Sequence, residues 1–254
     1  MSEDRKQKVR SILVSQPEPK TESNPFFNVR DRHKVTIDFR SFIHVEGVSA
    51  SDFRKERINI RDFRNVILTS KNAVDHYFRM CEEMRVSVSD DTRYFCISEA
   101  IAYYLQKYVV FRKRKIYHGN LTIEDLIPVL KKYKNERFLM PSSDILKPSI
   151  PEALAASNIN YTRAILYNTV ISDLSDLADV TYDILVFFSP EGIRSLYHNF
   201  PDFVQNNTRL ACFGKTTQKA AEAHNLIVDI PAPTKDAPSM TKALSDYIKE
   251  VNKK

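Results

Sequence analysis

Glycine is scarce in this chain: four residues among 254, Gly47, Gly119, Gly192 and Gly214, stand far apart. A dinucleotide pyrophosphate needs glycines where backbone must approach it at a helix start, and neither GxGxxG nor GxxxxGKS/T can be written, which argues against Rossmann and P-loop nucleotide sites. No GxSxG elbow is present, which removes the usual hydrolase serine. Cysteine is limited to Cys81, Cys96 and Cys212, an odd count without CxxC spacing, and none of the six histidines forms HxxxH or HxH. Neither a disulfide nor a metal or other cofactor is expected, and cysteines inside strand runs read as small buried hydrophobes. Long apolar runs are missing too. The run at 184–188 ends after about five residues, where a bilayer span needs roughly 18, and no signal-like segment follows the charged N-terminus. A soluble, cytoplasmic protein without membrane contact is expected. Interleaved aromatics and a recognition-helix pattern are also absent, so no nucleic-acid partner is expected.

What the chain does have is a core and a mild positive charge. Hydrophobic residues make up 43%, enough for two domains of ordinary size, and the formal net charge is +6 with a pI near 9.1. Part of that charge is local, in Arg112-Lys113-Arg114-Lys115, with no acid adjacent in sequence, and in Lys131-Lys132-Tyr133-Lys134. Such runs concentrate anionic partners; otherwise they form a solvated turn and a polar helix face.

The chain also says nearly the same thing twice. A buried-strand run closing in a hydroxyl that opens a helix, Leu68-Thr69-Ser70-Lys71-Asn72-Ala73-Val74, returns as Phe187-Phe188-Ser189-Pro190-Glu191-Gly192-Ile193. Downstream of each lies a second strand-to-helix turn, Cys96-Ile97-Ser98-Glu99-Ala100 and Cys212-Phe213-Gly214-Lys215-Thr216-Thr217, at nearly the same separation. The match extends outward, 11–15 resembling 136–141 and 120–127 resembling 237–244. Each copy is then about five strands and four helices, and short β-branched runs alternating with helical patterns predict doubly wound parallel sheets in an α/β protein. The hydroxyls at the turns read singly as N-caps. As a set they stand where open parallel sheets bind ligands, at strand carboxyl ends and helix starts that attract anions.

At these residues the sequence resembles uroporphyrinogen-III synthases. Ile12-Leu13-Val14-Ser15-Gln16-Pro17, the 68–74 turn, Leu166-Tyr167-Asn168-Thr169, the 187–192 turn, Phe213-Gly214-Lys215-Thr216-Thr217, and Pro233-Thr234 with Met240 follow the family's order over nearly the whole chain. The resemblance implies a monomeric, cofactor-free lyase of tetrapyrrole synthesis that cyclises hydroxymethylbilane. It implies two similar flavodoxin-like lobes joined by a two-stranded β linker: residues 1–41 with 171–254 in the outer lobe, 48–165 in the inner lobe, and 42–47 and 165–170 as linker strands whose flexing opens and closes a cleft. It implies Tyr167 as the acid for the departing hydroxyl, and Thr69, Ser70, Asn72, Ser98, Ser189, Gly192, Arg209, Gly214, Thr216 and Thr217 as substrate contacts. The substrate's acetate and propionate arms suit a basic protein with a hydroxyl- and amide-lined site. One turn departs from the pattern: 98–102 reads Ser-Glu-Ala-Ile-Ala where relatives carry Gly-x-x-Thr-Ala, which weakens the inner lobe's anion site. A catalytically silent two-lobe module that binds an anionic ligand or partner protein through the 112–115 cluster is the second reading.

Overall fold

The β-branched runs become strands, and the stretches opened by Ser, Asn or Gly become the helices that a parallel sheet requires between strands. The computed structural model describes Arg5, 7–110, Arg112 and 114–253; Lys113 of the basic run lies outside the described residues. The chain forms two compact units, Met1–His44 with Val170–Lys254, and Val45–Thr169.

The first unit holds β1 (Ser11–Val14), α1 (Pro25–His33), β2 (Thr36–Phe39), β9 (Ile184–Phe187), α7 (Pro190–Asn199), β10 (Arg209–Phe213), α8 (Lys215–Ala223), β11 (Val228–Ala232) and α9 (Met240–Val251). Its sheet order is β11-β10-β9-β1-β2, every pair parallel. Alternate side chains of the central strands feed two cores: Ile12, Val14, Ile184 and Val186 pack with α1 and α9, while Leu13, Leu185 and Phe187 pack with α7 and α8. Burial on both faces is why these strands read as unbroken apolar runs.

The second unit holds β3 (Ile43–Gly47), α2 (Ala50–Lys55), β4 (Asn65–Leu68), α3 (Lys71–Glu83), β5 (Arg93–Cys96), α4 (Glu99–Leu105), β6 (Ile116–His118), α5 (Ile127–Leu130), β7 (Phe138–Ser143), α6 (Ser149–Ala156) and β8 (Tyr161–Ile171). The boundary between units falls within β3 and again within β8. The order here is β3-β8-β7-β4-β5-β6. The two crossing strands are neighbours, with Val48 N–H donating to Leu166 O at 2.9 Å and Ser172 N–H to Phe42 O at 3.0 Å. They are no free-standing ribbon, because β8 also pairs in parallel with β7.

The repeat is visible in the topology, but its halves are exchanged. Matching β1, β2, β9, β10 and β11 to β7, β8, β4, β5 and β6 gives one neighbour order, 2-1-3-4-5, the flavodoxin-like arrangement. The first two strands of each sequence copy therefore complete the last three of the other. The three cysteines are free and buried, and burial pushes their thiols up to about 11 for Cys81 and about 12 for Cys96 and Cys212.

Candidate active site

In each unit the expected hydroxyls cluster where parallel strands end and helices begin. Leu68 is the last residue of β4, half-buried Thr69 follows, and Ser70 caps α3, its Oγ accepting the Ala73 N–H at 3.0 Å. The same Oγ lies 3.0 Å from the Tyr167 hydroxyl. Asn72 is exposed on the first turn of the same helix. Tyr167 reaches Ser70 because the β7–β8 register slips between Ser142 and Ser143: Ser142 faces Ile165, Ser143 faces Tyr167, and Leu166 is the extra residue. Such a bulge re-aims a side chain. Here it places Leu166 and Tyr167 in one core, which strict alternation forbids.

The Tyr167 ring is stacked on His76 of α3, centroids 4.7 Å apart and planes 18° from parallel. Burial raises the phenol pKa, opposed by the hydrogen bonds to Ser70 and to the Ser143 backbone, so the group holds its proton at neutral pH. His76 is pushed the other way, first by burial and then by the Arg79 guanidinium, and is a neutral imidazole. Ser98 stands at the N-cap of the short α4 with no side-chain capping hydrogen bond among the described residues, and is 8% exposed.

In the first unit Ser189 caps α7 and accepts the Gly192 N–H at 3.3 Å. Gly192 is buried; a Cβ there would meet Phe187 Cδ1 at 3.1 Å and Ser15 Oγ at 3.7 Å, so the glycine lets α7 close onto the strand ends. Gly214 opens α8 at φ 85°, a conformation that glycine adopts without strain, and a Cβ added there would find nothing within 4 Å. Thr216 is exposed on the first turn. Thr217 is 1% exposed, and its Oγ1 makes no hydrogen bond among the described residues. Half-buried Phe188 and Phe213 flank these turns with centroids 5.8 Å apart.

Arg209 does not join the set. It begins β10, at the amino end of the strand rather than the carboxyl end, and is 1% exposed. Its Nη1 donates to Asn207 O at 2.7 Å and Nη2 to Gln7 O at 3.4 Å, with Asp183 at 3.8 Å. Its buried Nε has no hydrogen-bond partner among the described residues. The basic run differs from expectation as well: Arg112 pairs with Asp90 at 3.4 Å and Lys115 with Asp91 at 2.8 Å, acids that are remote in sequence but adjacent in space. Sequence reasoning missed His76, which stacks on Tyr167, Arg79, which holds Leu166 O, and Gly47, which packs against Arg79; the only local trace of the first two is a polar stripe along α3.

Two sheets of mainly parallel strands, with hydroxyl-capped helix starts and a buried phenol beside one of them, define a two-unit α/β protein. Residues 32–242 match the family model "Uroporphyrinogen-III synthase HemD". The chain belongs to the uroporphyrinogen-III synthase family, enzymes of tetrapyrrole synthesis. It is 23% identical to the uroporphyrinogen-III synthase of Chlorobaculum parvum over 95% of this chain and 100% of that protein. The fold is similar to that of uroporphyrinogen-III synthetase from Helicobacter pylori (TM-score 0.64, 18% identity, 95% of this chain and 100% of that one). It is also similar to a mutant uroporphyrinogen III synthase from Thermus thermophilus (TM-score 0.60, 13% identity, 97% and 100%). Among the described residues no helix is long and apolar enough to cross a membrane, and no group of three or more His, Cys, Asp and Glu residues could hold a metal ion.

Proposed function

We propose that the chain closes hydroxymethylbilane into uroporphyrinogen III, releasing the terminal hydroxyl as water and inverting the last pyrrole ring. The observation that supports this most is the 3.0 Å contact between Ser70 Oγ and the Tyr167 hydroxyl. Ser70 Oγ accepts the Ala73 N–H and, in this reading, donates its own hydrogen to the Tyr167 oxygen, which leaves the phenol proton to the substrate.

In this reading Tyr167 gives its proton to the departing hydroxyl, which leaves as water. The electron-rich pyrrole supplies the push and becomes an azafulvenium cation. Negative charge growing on the phenolate is met by the Ser70 hydroxyl and by the positive end of α3. Attack by the substituted carbon of the last ring gives a spiro intermediate; the bond from that carbon to its original methylene bridge then breaks, the freed bridge bonds the ring's other α-carbon, and the proton lost from that carbon on rearomatisation returns to the phenolate. The net change is one dehydration, so no electron carrier is required. The remaining task is positioning, which well-oriented binding groups can perform. The helix starts at Ser70, Ser189 and Gly214, with Thr69, Asn72, Thr216 and the turn at Ser98, meet the carboxylate arms. Buried Gly192 and Thr217 shape the turns that do so. The protein acts as a cytoplasmic monomer.

The test supplies hydroxymethylbilane to purified protein and separates the product isomers chromatographically. Type III product is expected, and only type I, from spontaneous closure, refutes the assignment. Tyr167→Phe is expected to lower kcat by roughly 10²-fold, within the range of general acids; an unchanged kcat removes Tyr167 from the chemistry.

A further inference from the structure

Arg79 of α3 spends its guanidinium in one corner of the second unit. Its Nη2 donates to Val48 O at 2.9 Å and to Leu166 O at 3.0 Å, its Nε to His76 Nδ1 at 3.1 Å, and its Nη1 pairs with Glu83 at 2.6 Å. Leu166 O belongs to the peptide plane that carries the Tyr167 nitrogen, so holding that oxygen orients the plane from which Tyr167 departs. The Leu166 carbonyl also accepts Val48 N–H, which makes it the point where β3, β8 and α3 are tied together. A second tie runs through His76. Its Nδ1 accepts from Arg79, which leaves the proton of the neutral ring on Nε2 and fixes the imidazole whose flat face lies on the phenol. The charged groups acting on that imidazole are Asp75, Arg79 and Glu83, all from α3, with Tyr167 facing it from β8.

Gly47 completes the arrangement. A Cβ at position 47 would lie 2.8 Å from Arg79 Cζ, 2.9 Å from Nη2 and 3.1 Å from Nε, and no other atom is among its three nearest. Its backbone is not in the left-handed region, so nothing in its dihedrals demands glycine. Space for the guanidinium does.

We propose that Arg79 is a positioning residue for Tyr167, acting on the 166–167 peptide and through the stacked His76, and that position 47 is glycine to admit it. The inference rests on the catalytic reading of Tyr167, and the experiment separates the two. Gly47→Ala, Arg79→Ala and the double variant are assayed for kcat, KM and melting temperature alongside Tyr167→Phe, and the ring resonances of carbon-labelled Tyr167 are recorded in each except the last. Gly47→Ala and Arg79→Ala are each expected to lower kcat about tenfold at nearly constant KM, since misplacing a reacting group by an ångström costs up to about 10²-fold. The double variant is expected to be no worse than Arg79→Ala, because with the guanidinium gone the new Cβ has room; such non-additivity marks one shared interaction. His76→Phe, which keeps a flat ring, is expected to retain most of the rate that His76→Ala loses. The Tyr167 resonances move in both single variants. Unchanged resonances, or losses that multiply in the double variant, overturn the proposal. A fall in melting temperature with kcat and resonances unmoved assigns Arg79 to stability alone. If Tyr167→Phe is fully active while the resonances still move in the Arg79 variant, positioning stands and the catalytic reading falls.

Discussion

Ser70→Ala and Ser189→Ala are the same change at matching turns, and the structure makes them unequal. Each serine caps its helix by accepting the third amide, at 3.0 Å from Ala73 and 3.3 Å from Gly192. Loss of a cap costs about 1 kcal/mol, so both variants are destabilised by at least that much. Ser70→Ala also removes the partner of the Tyr167 hydroxyl, a residue 6% exposed, and a net hydrogen bond of this kind is worth about 1 kcal/mol more. The larger difference falls on the rate. If the Ser70 hydroxyl meets charge growing on the phenolate, the lost bond is charge-assisted, roughly 1.5–3 kcal/mol, and kcat drops about 10- to 100-fold. Ser189 touches no reacting group in the proposed mechanism and its loss acts on carboxylate binding, so Ser189→Ala raises KM and leaves kcat within about threefold. The assay measures initial rates of type III product across substrate concentrations, with a thermal melt of each variant. Equal kcat in the two variants, or a Ser70→Ala enzyme that melts early and turns over normally, refutes the link between Ser70 and the acid.

Other outcomes follow from the same structure. A fragment of residues 45–169 folds alone, whereas deleting 1–44 removes β1, α1 and β2 from beside β9 and unfolds the first unit; NMR spectra of the two proteins check this. The three thiols have folded pKa values above their usual 9.0, so their stabilising contribution is complete below pH 9 and is lost as pH rises toward about 12. Native protein at pH 8 should leave all three unreactive to a thiol reagent until denatured, and fast labelling refutes their burial. Gly214→Ala places a side chain at φ 85° in open space, costing about 1 kcal/mol or more through backbone strain alone. Gly192→Ala instead pushes against the Phe187 ring, and a thermal melt of Gly192→Ala in a Phe187→Leu background should recover part of the loss.

Strands such as 184–187 were legible because burial on both faces leaves an unbroken apolar signature, and the hydroxyl turns because capping demands Ser, Thr, Asn or Gly at one fixed place. Which strand lies beside which is not a local property. Ser11–Val14 reads as a strand from its own residues, but nothing in those four residues says that Ile12 pairs with Ile184. The same limit governed the site. Ser70 announced itself by its place before α3, while the Arg79 corner joins positions 47, 79 and 166, three remote segments without a shared motif. Arg209 shows a related limit: the resemblance places it among the substrate contacts, while its burial and its place at the amino end of β10 appear only in the fold. The acids opposite Arg112 and Lys115 were hidden in the same way, since Asp90 and Asp91 lie on another loop.

The exchange of strand pairs between the two sequence copies also imposes an order in time. A chain made from its amino terminus produces β1, α1 and β2 first, yet the strand that flanks β1 on its other side, β9, begins at Ile184. The second unit is complete by Thr169, before β9 has been made. Val9, Ile12, Val14, Phe26 and Val29, which share one core with Ile184, Val186 and α9, must wait uncovered while an entire neighbouring unit is synthesised and folds. A pause in translation near residue 170 would therefore leave one finished unit carrying a sticky unfolded arm, whereas a pause at Thr234 would leave the first unit lacking only α9. The vulnerable interval of this protein's biogenesis is set by its connectivity, and runs from the synthesis of β1 to that of β9.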